Sequence, residues 1–528
     1  MTGNFDFWNF KKSEKMSGRK KSSGSFFQIA SIYFRSVKSF FFASWLIIKS
    51  FFVSVFRLPR LLNKFDKFIL LVLSTTLIVL LGFYFKLNYF DKTKIVASDG
   101  GTFQEILIGE AQYLNPVLAK TDVDKTINRL IYSGLTKVDK SGQVIADLAE
   151  NWEVSADSKS YTFHLKENLF WHDGVPFLST DVAYTIESIK DQNLKSSYYS
   201  SWKDIEVETP DEKTVIFKLS NPYGPFVYNT TVGIIPTHVD FQALSSMPIG
   251  TGPYKFSNAK SGKNQKIYQV MLEKNPSYFA EKYYIEKILF QIDPDEKQAK
   301  KGFSSGSSNA VAGIKVDDNE SKSYSYPTSR QFAIIFNTRN EKFKDAVNRK
   351  KIKSGEKFEP PLEFSLLVLD KTLSVSVAES LISEYREKGI KINLQKQSAV
   401  NYQTLLEKRD FQAVLYGFDF GYDRDPYPFW HSSQIASGEN YAGFADKNAD
   451  ILLEDARMSA DFTLRNQKYD QFMTILNDQV PVIFLSAETF SVSVKEGVNG
   501  ISEIKGFEPW DHLNQLSEWY VKTKRVKP

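Results

Sequence analysis

In one stretch of the chain, the apolar residues Tyr161, Phe163 and Leu165 alternate with polar residues. A period of two is typical of a β-strand with one buried face. The apolar run Leu169–Trp171 predicts a second, short strand, and Asp173-Gly174 after it predicts a turn. We therefore expect paired strands in this part of the chain.

The period then changes to that of a helix. Val182, Ile186 and Ile189 fall on one face when they are placed at 3.6 residues per turn. Thr180 stands just before them and is expected to cap the helix, because a hydroxyl there can accept a hydrogen bond from a free backbone N–H. Short strands mixed with such helices predict an α+β arrangement up to about residue 330.

Between residues 362 and 418, apolar strands alternate with helices. The predicted elements are the strand Leu362–Leu369, a helix ended by Gly389, the strand Ile390–Leu394, the helix Asn401–Arg409 and the strand Phe411–Phe418. Strands separated by helices pair in parallel through right-handed crossovers, so this order predicts a three-layer α/β lobe. Two further helices, near 448–458 and 461–479, and the strand Val482–Leu485 are expected to follow.

A run of 18 residues without a charge, Phe68–Phe85, precedes all of these elements. At about 1.5 Å per residue it is long enough to cross a thin hydrocarbon core, so residues 68–86 are predicted to be a single transmembrane helix. A cleaved signal peptide and a buried core helix are the alternatives. Residues 87–102 would form a polar tether.

The net charge of +5 is unevenly distributed along the chain. Residues 1–67 hold 13 Lys and Arg against three acids, a charge of +10, which leaves −5 for the rest. Excess positive charge before a span predicts a cytoplasmic N-terminus and places the remainder outside the cytoplasm. Within this basic segment, residues 26–62 are predicted to form an amphipathic helix lying on the membrane surface, with a second span as the alternative.

The segment Leu148–Val182 resembles the signature of the family 5 extracellular solute-binding proteins, the oligopeptide- and dipeptide-binding components of ABC importers. The resemblance rests on Tyr161–Lys166, Trp171–Pro176 and Asp181-Val182. It extends to about residue 500 through further motifs, which are Leu114-Asn115-Pro116, Gly250-Thr251-Gly252-Pro253-Tyr254, Phe336-Asn337-Thr338 and Asp425-Pro426-Tyr427.

The resemblance implies a two-lobed α/β fold of the periplasmic-binding-protein type II, with an α+β first lobe and a hinge. Lobe 1 would comprise 103–330 with 487–520, and lobe 2 would comprise 331–486. Residues 348–361 are shorter than the helical section usual in the family, so a smaller second lobe is expected. The resemblance implies an oligopeptide or a similar solute and the ABC permease subunits as partners. The apolar run adds the lipid bilayer, and nothing indicates a nucleic acid.

The resemblance also implies a binding position. Peptide-binding members of the family carry an acid four residues before the proline that corresponds to Pro426, and this acid holds the ligand's ammonium group. Tyr422 stands at that position here, with acids at neighbouring positions. The candidate substrate-binding residues are therefore Asp423, Tyr422, Phe418, Asp419, Tyr427, Trp430 and Asn440. A solvated acidic turn, with Phe429, Tyr441 and the other aromatic residues packed under it, is the alternative.

The residues favour binding over catalysis. The chain has no cysteine, and its five histidines are scattered without metal-ligand spacing, so neither a cofactor nor a metal is expected. Gly302-Phe303-Ser304-Ser305-Gly306 matches a nucleophile elbow, but a helix is predicted before it where an elbow needs a strand. A surface hydrolase using Ser304, with His431 or His172 as its base, remains an alternative. A ligand sensor that signals through residues 1–67 is another.

Overall fold

A ten-stranded mixed sheet runs through most of the chain. The computed structural model describes residues 63–262 and 266–527. It divides the chain into two units, Met1–Lys94 with Arg525–Pro528, and Ile95–Lys524. The helix predicted for residues 26–62 lies outside the described residues.

The first unit contains the apolar helix Lys64–Phe85, which continues through a π-turn at Lys86–Phe90. Asn63 caps it by accepting a hydrogen bond from the backbone N–H of Asp66 (2.9 Å). None of its residues is buried against the described part of the chain, although apolar side chains lie on every face. By length and composition, it is the one helix of the described residues that could cross a membrane.

The ten strands of the large sheet belong to the second unit. In order across the sheet they are Ile390–Gln397, Leu362–Leu369, Ala413–Asp419, Ser321–Phe336, Val482–Lys495, Ala310–Ala312, Thr102–Ile108, Lys287–Asp293, Ile267–Lys274 and Tyr254–Ser261. The two long central strands, Ser321–Phe336 and Val482–Lys495, are antiparallel and join the two halves of the sheet. Two further strands are Lys94–Ser98 and Lys522–Val526.

Buried side chains form separate cores on the two sides of these long strands. One cluster includes residues from Phe103 to Tyr326 and from Val492 to Trp519, and we call the part built on it lobe 1. Two smaller clusters, whose buried members run from Ala333 to Val482, form lobe 2. The pairing of the long strands is irregular between residues 327 and 333, where the cores separate. The domain limits given above stay a prediction.

Lobe 2 has the predicted βαβαβ order. Leu362–Leu369 pairs in parallel with both Ile390–Gln397 and Ala413–Asp419, and the connecting helices are Thr372–Arg386 and Ala399–Lys408. Gly389 has a φ of +70°, and a Cβ there would lie 2.5 Å from the carbonyl oxygen of Phe358, so only glycine fits. The remaining helices are Ala346–Ser354, Tyr427–Trp430, Gln434–Ser437, Lys447–Met458 and Phe462–Gln479.

Lobe 1 contains a four-stranded antiparallel sheet in the order Ala149–Val154, Ser160–Leu165, Thr214–Leu219, Ile205–Asp211. Tyr161, Phe163 and Leu165 are buried and alternate with half-buried neighbours, which confirms the predicted strand. The other elements are the strands Thr136–Val138 and Val144–Ala146, the helices Asp122–Ile131, Ser179–Lys190, Tyr199–Trp202, Phe226–Asn229 and Glu296–Ser304, and 3-10 turns at Pro116–Leu118, Gln192–Leu194, Ala243–Ser245 and Asp511–Glu518.

Two local predictions in lobe 1 are wrong. Leu169–Trp171 is not a strand, because only Phe170 makes a β-bridge, to Pro176 across the following turn. The helix begins at Ser179, so Thr180 lies inside its first turn. The cap is formed instead by Asp181, whose carboxylate accepts the backbone N–H of Leu178 (3.0 Å).

Candidate functional site

A cavity of about 870 Å³ lies between the two lobes. Lobe 2 contributes the loop that follows its strand Ala413–Asp419, and lobe 1 contributes the remaining walls. The lobe 1 side is rich in tyrosine, with Tyr132, Tyr198, Tyr223, Tyr228, Tyr278 and Tyr283 among its lining residues. Burial raises the pKa of each of these phenols above its ordinary value.

Asp423 lines the cavity, but its carboxylate is engaged within lobe 2. Oδ1 accepts hydrogen bonds from Nε and Nη2 of Arg465 (3.0 and 2.6 Å), and Oδ2 accepts one from Tyr469 Oη (3.0 Å). Burial raises the pKa of Asp423, and the guanidinium of Arg465 opposes that shift. Because both oxygens are bonded to side chains that are themselves buried, Asp423 is held as a structural ion pair.

The two other acids of this loop also have arginine partners. Asp425 accepts hydrogen bonds from Nε and Nη2 of Arg457 (2.8 and 2.6 Å). Asp419 is half exposed; its Oδ2 lies 3.4 Å from Nε of Arg330, and its Oδ1 accepts a hydrogen bond from Ser329 Oγ (2.9 Å). Each acid of the loop therefore lies beside a different arginine.

Tyr422 of the same loop reaches across to lobe 1. Its hydroxyl donates to Asp511 Oδ1 (2.7 Å) and accepts the indole N–H of Trp510 (3.0 Å). Its ring lies parallel to that of Tyr228, with 6.2 Å between centroids and 13° between planes. Burial and the charge of Asp511 raise the pKa of Tyr422, which keeps the phenol neutral and able to donate. Tyr422 thus joins the lobes at the cavity.

The lobes also touch through main-chain atoms away from Tyr422. Gly224 of lobe 1 donates its N–H to the carbonyl of Arg457 (2.6 Å), and Ser158 Oγ donates to the carbonyl of Met458 (2.9 Å). A Cβ on Gly224 would lie 1.7 Å from the carbonyl oxygen of Ser459, so this approach requires glycine. Side chains larger than hydrogen at this position are incompatible with the observed contact.

A charged cluster lies where the long strands pass between the lobes. Arg330 makes two parallel hydrogen bonds to Asp122 (2.7 and 2.6 Å) in addition to its contact with Asp419. Glu508 accepts a hydrogen bond from Ser329 Oγ (2.8 Å), and its Oε2 has no hydrogen-bond partner among the described residues. Burial and the nearby charge of Asp419 raise the pKa of Glu508 to about 8.

Lobe 1 also supplies a charged group that sequence reasoning missed. Asp147, Lys137 and Glu281 all line the cavity. Lys137 Nζ lies 3.2 Å from both carboxylate oxygens of Glu281 and 3.7 Å from Asp147 Oδ1. The three residues are distant along the chain and match no motif, so only the fold brings them together.

Four of the predicted substrate-binding residues do not line the cavity. Phe418 and Trp430 are buried in the core of lobe 2, with ring centroids 6.0 Å apart. Asn440 is fully buried, and its amide donates to the carbonyl of Trp430 (3.2 Å). Tyr427 packs beneath the guanidinium of Arg457, 3.8 Å from its ring centre. Asp419, Tyr422 and Asp423 are the predicted residues that do line the cavity.

The geometry gives no support to a hydrolytic site at Ser304, which ends the helix Glu296–Ser304 instead of following a strand. His172 Nε2 is bonded to the carbonyl of Gly252 (3.0 Å) and its Nδ1 accepts the N–H of Gly250. His431 is bonded to Ser433 and Glu454. Over residues 63–262 and 266–527, no group of three or more His, Cys, Asp or Glu could hold a metal ion.

Residues 143–355 match the model of the bacterial extracellular solute-binding proteins, family 5, middle region. This stretch of the chain resembles family 5. Among its relatives, the chain is 24% identical to the oligopeptide-binding protein AppA of Bacillus subtilis, over 80% of this chain and 92% of that protein. The resemblance read from the sequence is therefore confirmed.

Solved structures agree with the fold of this chain. The ABC transporter substrate-binding protein CtaP of Listeria monocytogenes superposes with a TM-score of 0.67 at 23% identity, covering 80% of this chain and 100% of CtaP. Bacillus subtilis AppA in complex with a nonapeptide gives a TM-score of 0.60 at 22% identity, covering 81% of this chain and 100% of AppA. The two-lobed fold of the periplasmic binding proteins is thereby confirmed.

Proposed function

We propose that this chain is the substrate-binding component of an ABC importer, and that it captures peptides or similar small solutes in the cavity between its lobes. The observation that carries the proposal is the cavity itself, which both lobes line and Tyr422 bridges. Its volume of about 870 Å³ lies within the range of about 300–1,000 Å³ usual for small-molecule sites. The names of AppA and of its nonapeptide complex support peptide as the cargo class.

In this proposal the lobes move about the irregular stretch of the long strands, between residues 327 and 333. Lobe 1 would comprise 103–330 and 487–520, and lobe 2 would comprise 331–486. Closure would bring Tyr422 onto Asp511 and bury the solute, and the closed form would be delivered to the permease. Asp419 and Tyr422 would lie beside the solute, while Asp423 would act indirectly by holding the loop.

The proposal includes attachment to the membrane through the helix Lys64–Phe85. Its apolar side chains are exposed over a length sufficient to span a bilayer, and the basic residues before it favour a cytoplasmic N-terminus. Extraction tests this step: the protein should stay in the membrane pellet after an alkaline carbonate wash. Protease added to intact cells should remove the lobes, and release of the protein by the wash would contradict the attachment.

Native mass spectrometry of the full-length protein, purified in detergent without added ligand, tests the binding function. We expect a bound small molecule that dissociates on collisional activation and is identified as a peptide or a related solute. Added peptides should be recovered with unchanged mass, since the proposed function involves no covalent step. A protein that is always empty and gives no thermal shift with a random peptide mixture would overturn the proposal.

A further inference from the structure

Asp147 differs from the other acids of the cavity wall, each of which accepts at least one hydrogen bond. Asp147 follows the strand Val144–Ala146 in lobe 1 and is 4% exposed, and its Oδ1 has no hydrogen-bond partner among the described residues. The nearest cation is Lys137, whose Nζ is 3.7 Å away and is already shared with both oxygens of Glu281. A buried carboxylate oxygen that accepts no hydrogen bond is costly, so the empty site is destabilised at this position.

The surroundings of Asp147 suit a positively charged ligand group. Two carboxylates share the ammonium of Lys137, and Lys166 is the next cation that acts on Asp147. The hydroxyl of Tyr132 is likewise buried and has no hydrogen-bond partner among the described residues. Tyr278 and Tyr283 complete the wall, and the charges of Asp147 and Glu281 are among the causes that raise their pKa. A cationic nitrogen would find negative charge and phenol oxygens together here.

The other acids that line the cavity accept hydrogen bonds from the protein or lie beside an arginine. Asp419, Asp423 and Asp425 face Arg330, Arg465 and Arg457, respectively. Asp139 lies in a turn, where its Oδ1 accepts three hydrogen bonds from residues 141 and 143. Burial keeps Glu508 protonated near neutral pH. A ligand cation placed at Asp423 or Asp425 would compete with an arginine that donates two hydrogen bonds to the acid. At Asp147 the only nearby competitor among the described residues that line the cavity is Lys137, which lies 3.7 Å away and donates no hydrogen bond to it.

We propose that Asp147 and Glu281 bind a cationic nitrogen of the ligand, either a primary ammonium or a guanidinium. The inference rests on the proposed function and deepens it: the cargo is a peptide with a free amine or a basic side chain. That group lies against lobe 1 and not at the loop Asp419–Asp425. Selectivity follows because a neutral ligand leaves the Asp147 oxygen unsatisfied, while a cation makes a charge-assisted hydrogen bond to it.

Isothermal titration of the full-length protein in detergent micelles tests this assignment with alanine peptides of two to nine residues. Each peptide is compared as the free amine, as the N-acetyl form, and as the N-acetyl form carrying one lysine. We expect acetylation to weaken binding by about tenfold or more, and a lysine to restore at least part of the loss. Asp147→Asn removes the charge at nearly constant shape, and should bind free and acetylated peptides about equally.

Two further variants keep the test decisive. Glu281→Gln changes a side chain that is 41% exposed, so it should fold even if Asp147→Asn does not, and should reduce the preference for free amines. Asp139→Asn is the matched control, because it removes one charge from the same wall but leaves an oxygen for the turn, and it should keep the full preference.

The outcomes separate the inference from the function on which it rests. Equal binding of free and acetylated peptides by the wild type would overturn the cation site and leave peptide binding intact. A preference for free amines that survives both Asp147→Asn and Glu281→Gln would overturn it as well. If no peptide of the series binds at all, peptide capture fails, and the cation site fails with it.

Discussion

The bond between Tyr422 and Asp511 should govern how tightly the lobes hold a solute. Tyr422→Phe removes the hydroxyl that donates to Asp511 (2.7 Å) and accepts from Trp510 (3.0 Å), and it keeps the ring that stacks on Tyr228. The change therefore deletes two hydrogen bonds across the cavity with little loss of apolar contact. Its effect should fall on closure of the lobes and not on their folding.

The expected magnitude follows from the type of bond. A hydrogen bond to a charged group is worth about 1.5–3 kcal/mol, and the bond from Trp510 adds to it. Water can hydrate Asp511 and Trp510 once the lobes separate, and other contacts between the lobes remain, so we expect a net loss of about 2 kcal/mol. If binding requires closure, the apparent affinity should fall about 30-fold.

Isothermal titration with the solute identified by mass spectrometry measures this change, and small-angle scattering measures the extent of the liganded protein. Tyr268→Phe is the matched control, because it makes the same chemical change at an exposed tyrosine of the strand Ile267–Lys274. Tyr268→Phe should bind as the wild type does. Equal affinity and equal dimensions for Tyr422→Phe, in a protein of unchanged melting temperature, would refute a role for this bond in closure.

Three further changes test other parts of the site. Asp423→Asn leaves the buried Arg465 without its charge partner, so it should lower the free energy of unfolding by about 3 kcal/mol in denaturant titrations. Gly224→Ala places a Cβ against the carbonyl of Ser459, so calorimetry should find solute binding lost while the melting temperature changes little. Glu508→Gln stays neutral at every pH, so it should melt above the wild type at pH 9, and the difference should shrink toward pH 5.

The sign of the pH effect follows from the raised pKa of Glu508. The folded protein releases the proton only near a pH of about 8, whereas the unfolded chain releases it near pH 4.3. Stability therefore falls as pH rises between these values, and the glutamine variant escapes that loss. A melting curve for Glu508→Gln with the same pH dependence as the wild type would contradict the assignment.

The other two changes have matched controls. Asp419→Asn alters an exposed acid of the same loop, so it should cost at most about 1 kcal/mol, and an equal cost at Asp423 would argue against the buried pair. Gly417→Ala puts a Cβ in ordinary contact with Phe332 at 3.5 Å, so it should bind normally. Normal binding by Gly224→Ala would show that the main-chain approach of the lobes is not needed.

Much of the fold could be predicted because its signals are local. The strand Leu362–Leu369 was predicted at its observed limits, and Gly389 was recognised as a left-handed residue after a helix, because period and turn chemistry lie within a few residues of each other. One of the two errors arose where another residue took over an expected role. The cap residue is Leu178, and Asp181, the third residue of the helix, accepts its N–H in place of the cap predicted at Thr180.

The site was less predictable because its contacts are distant along the chain. The sequence placed acids at 419 and 423 in one loop, but nothing local indicated that Arg330 and Arg465 would neutralise them. The aromatic residues posed the same problem, since Phe418 and Tyr422 are four residues apart, yet one is buried in lobe 2 and the other bridges to lobe 1. The role of each aromatic side chain depends on whether it points into the core or away from it, and residue type alone does not reveal this.

Closure should depend more on the bond between Tyr422 and Asp511 than on the charged cluster around Arg330, because the two lie at different distances from the hinge. Arg330 lies on the crossing strand Ser321–Phe336, at the point where pairing is irregular. A rotation about that point moves nearby groups little, so Arg330 can keep Asp122 and Asp419 as the lobes open. Tyr422 lies on a loop beyond the end of its strand and holds Asp511 of the opposite lobe, so its bond must break when they part. The contacts of the Arg330 cluster therefore stabilise the open and the closed forms alike. Only contacts that break when the lobes open can change the affinity for a solute.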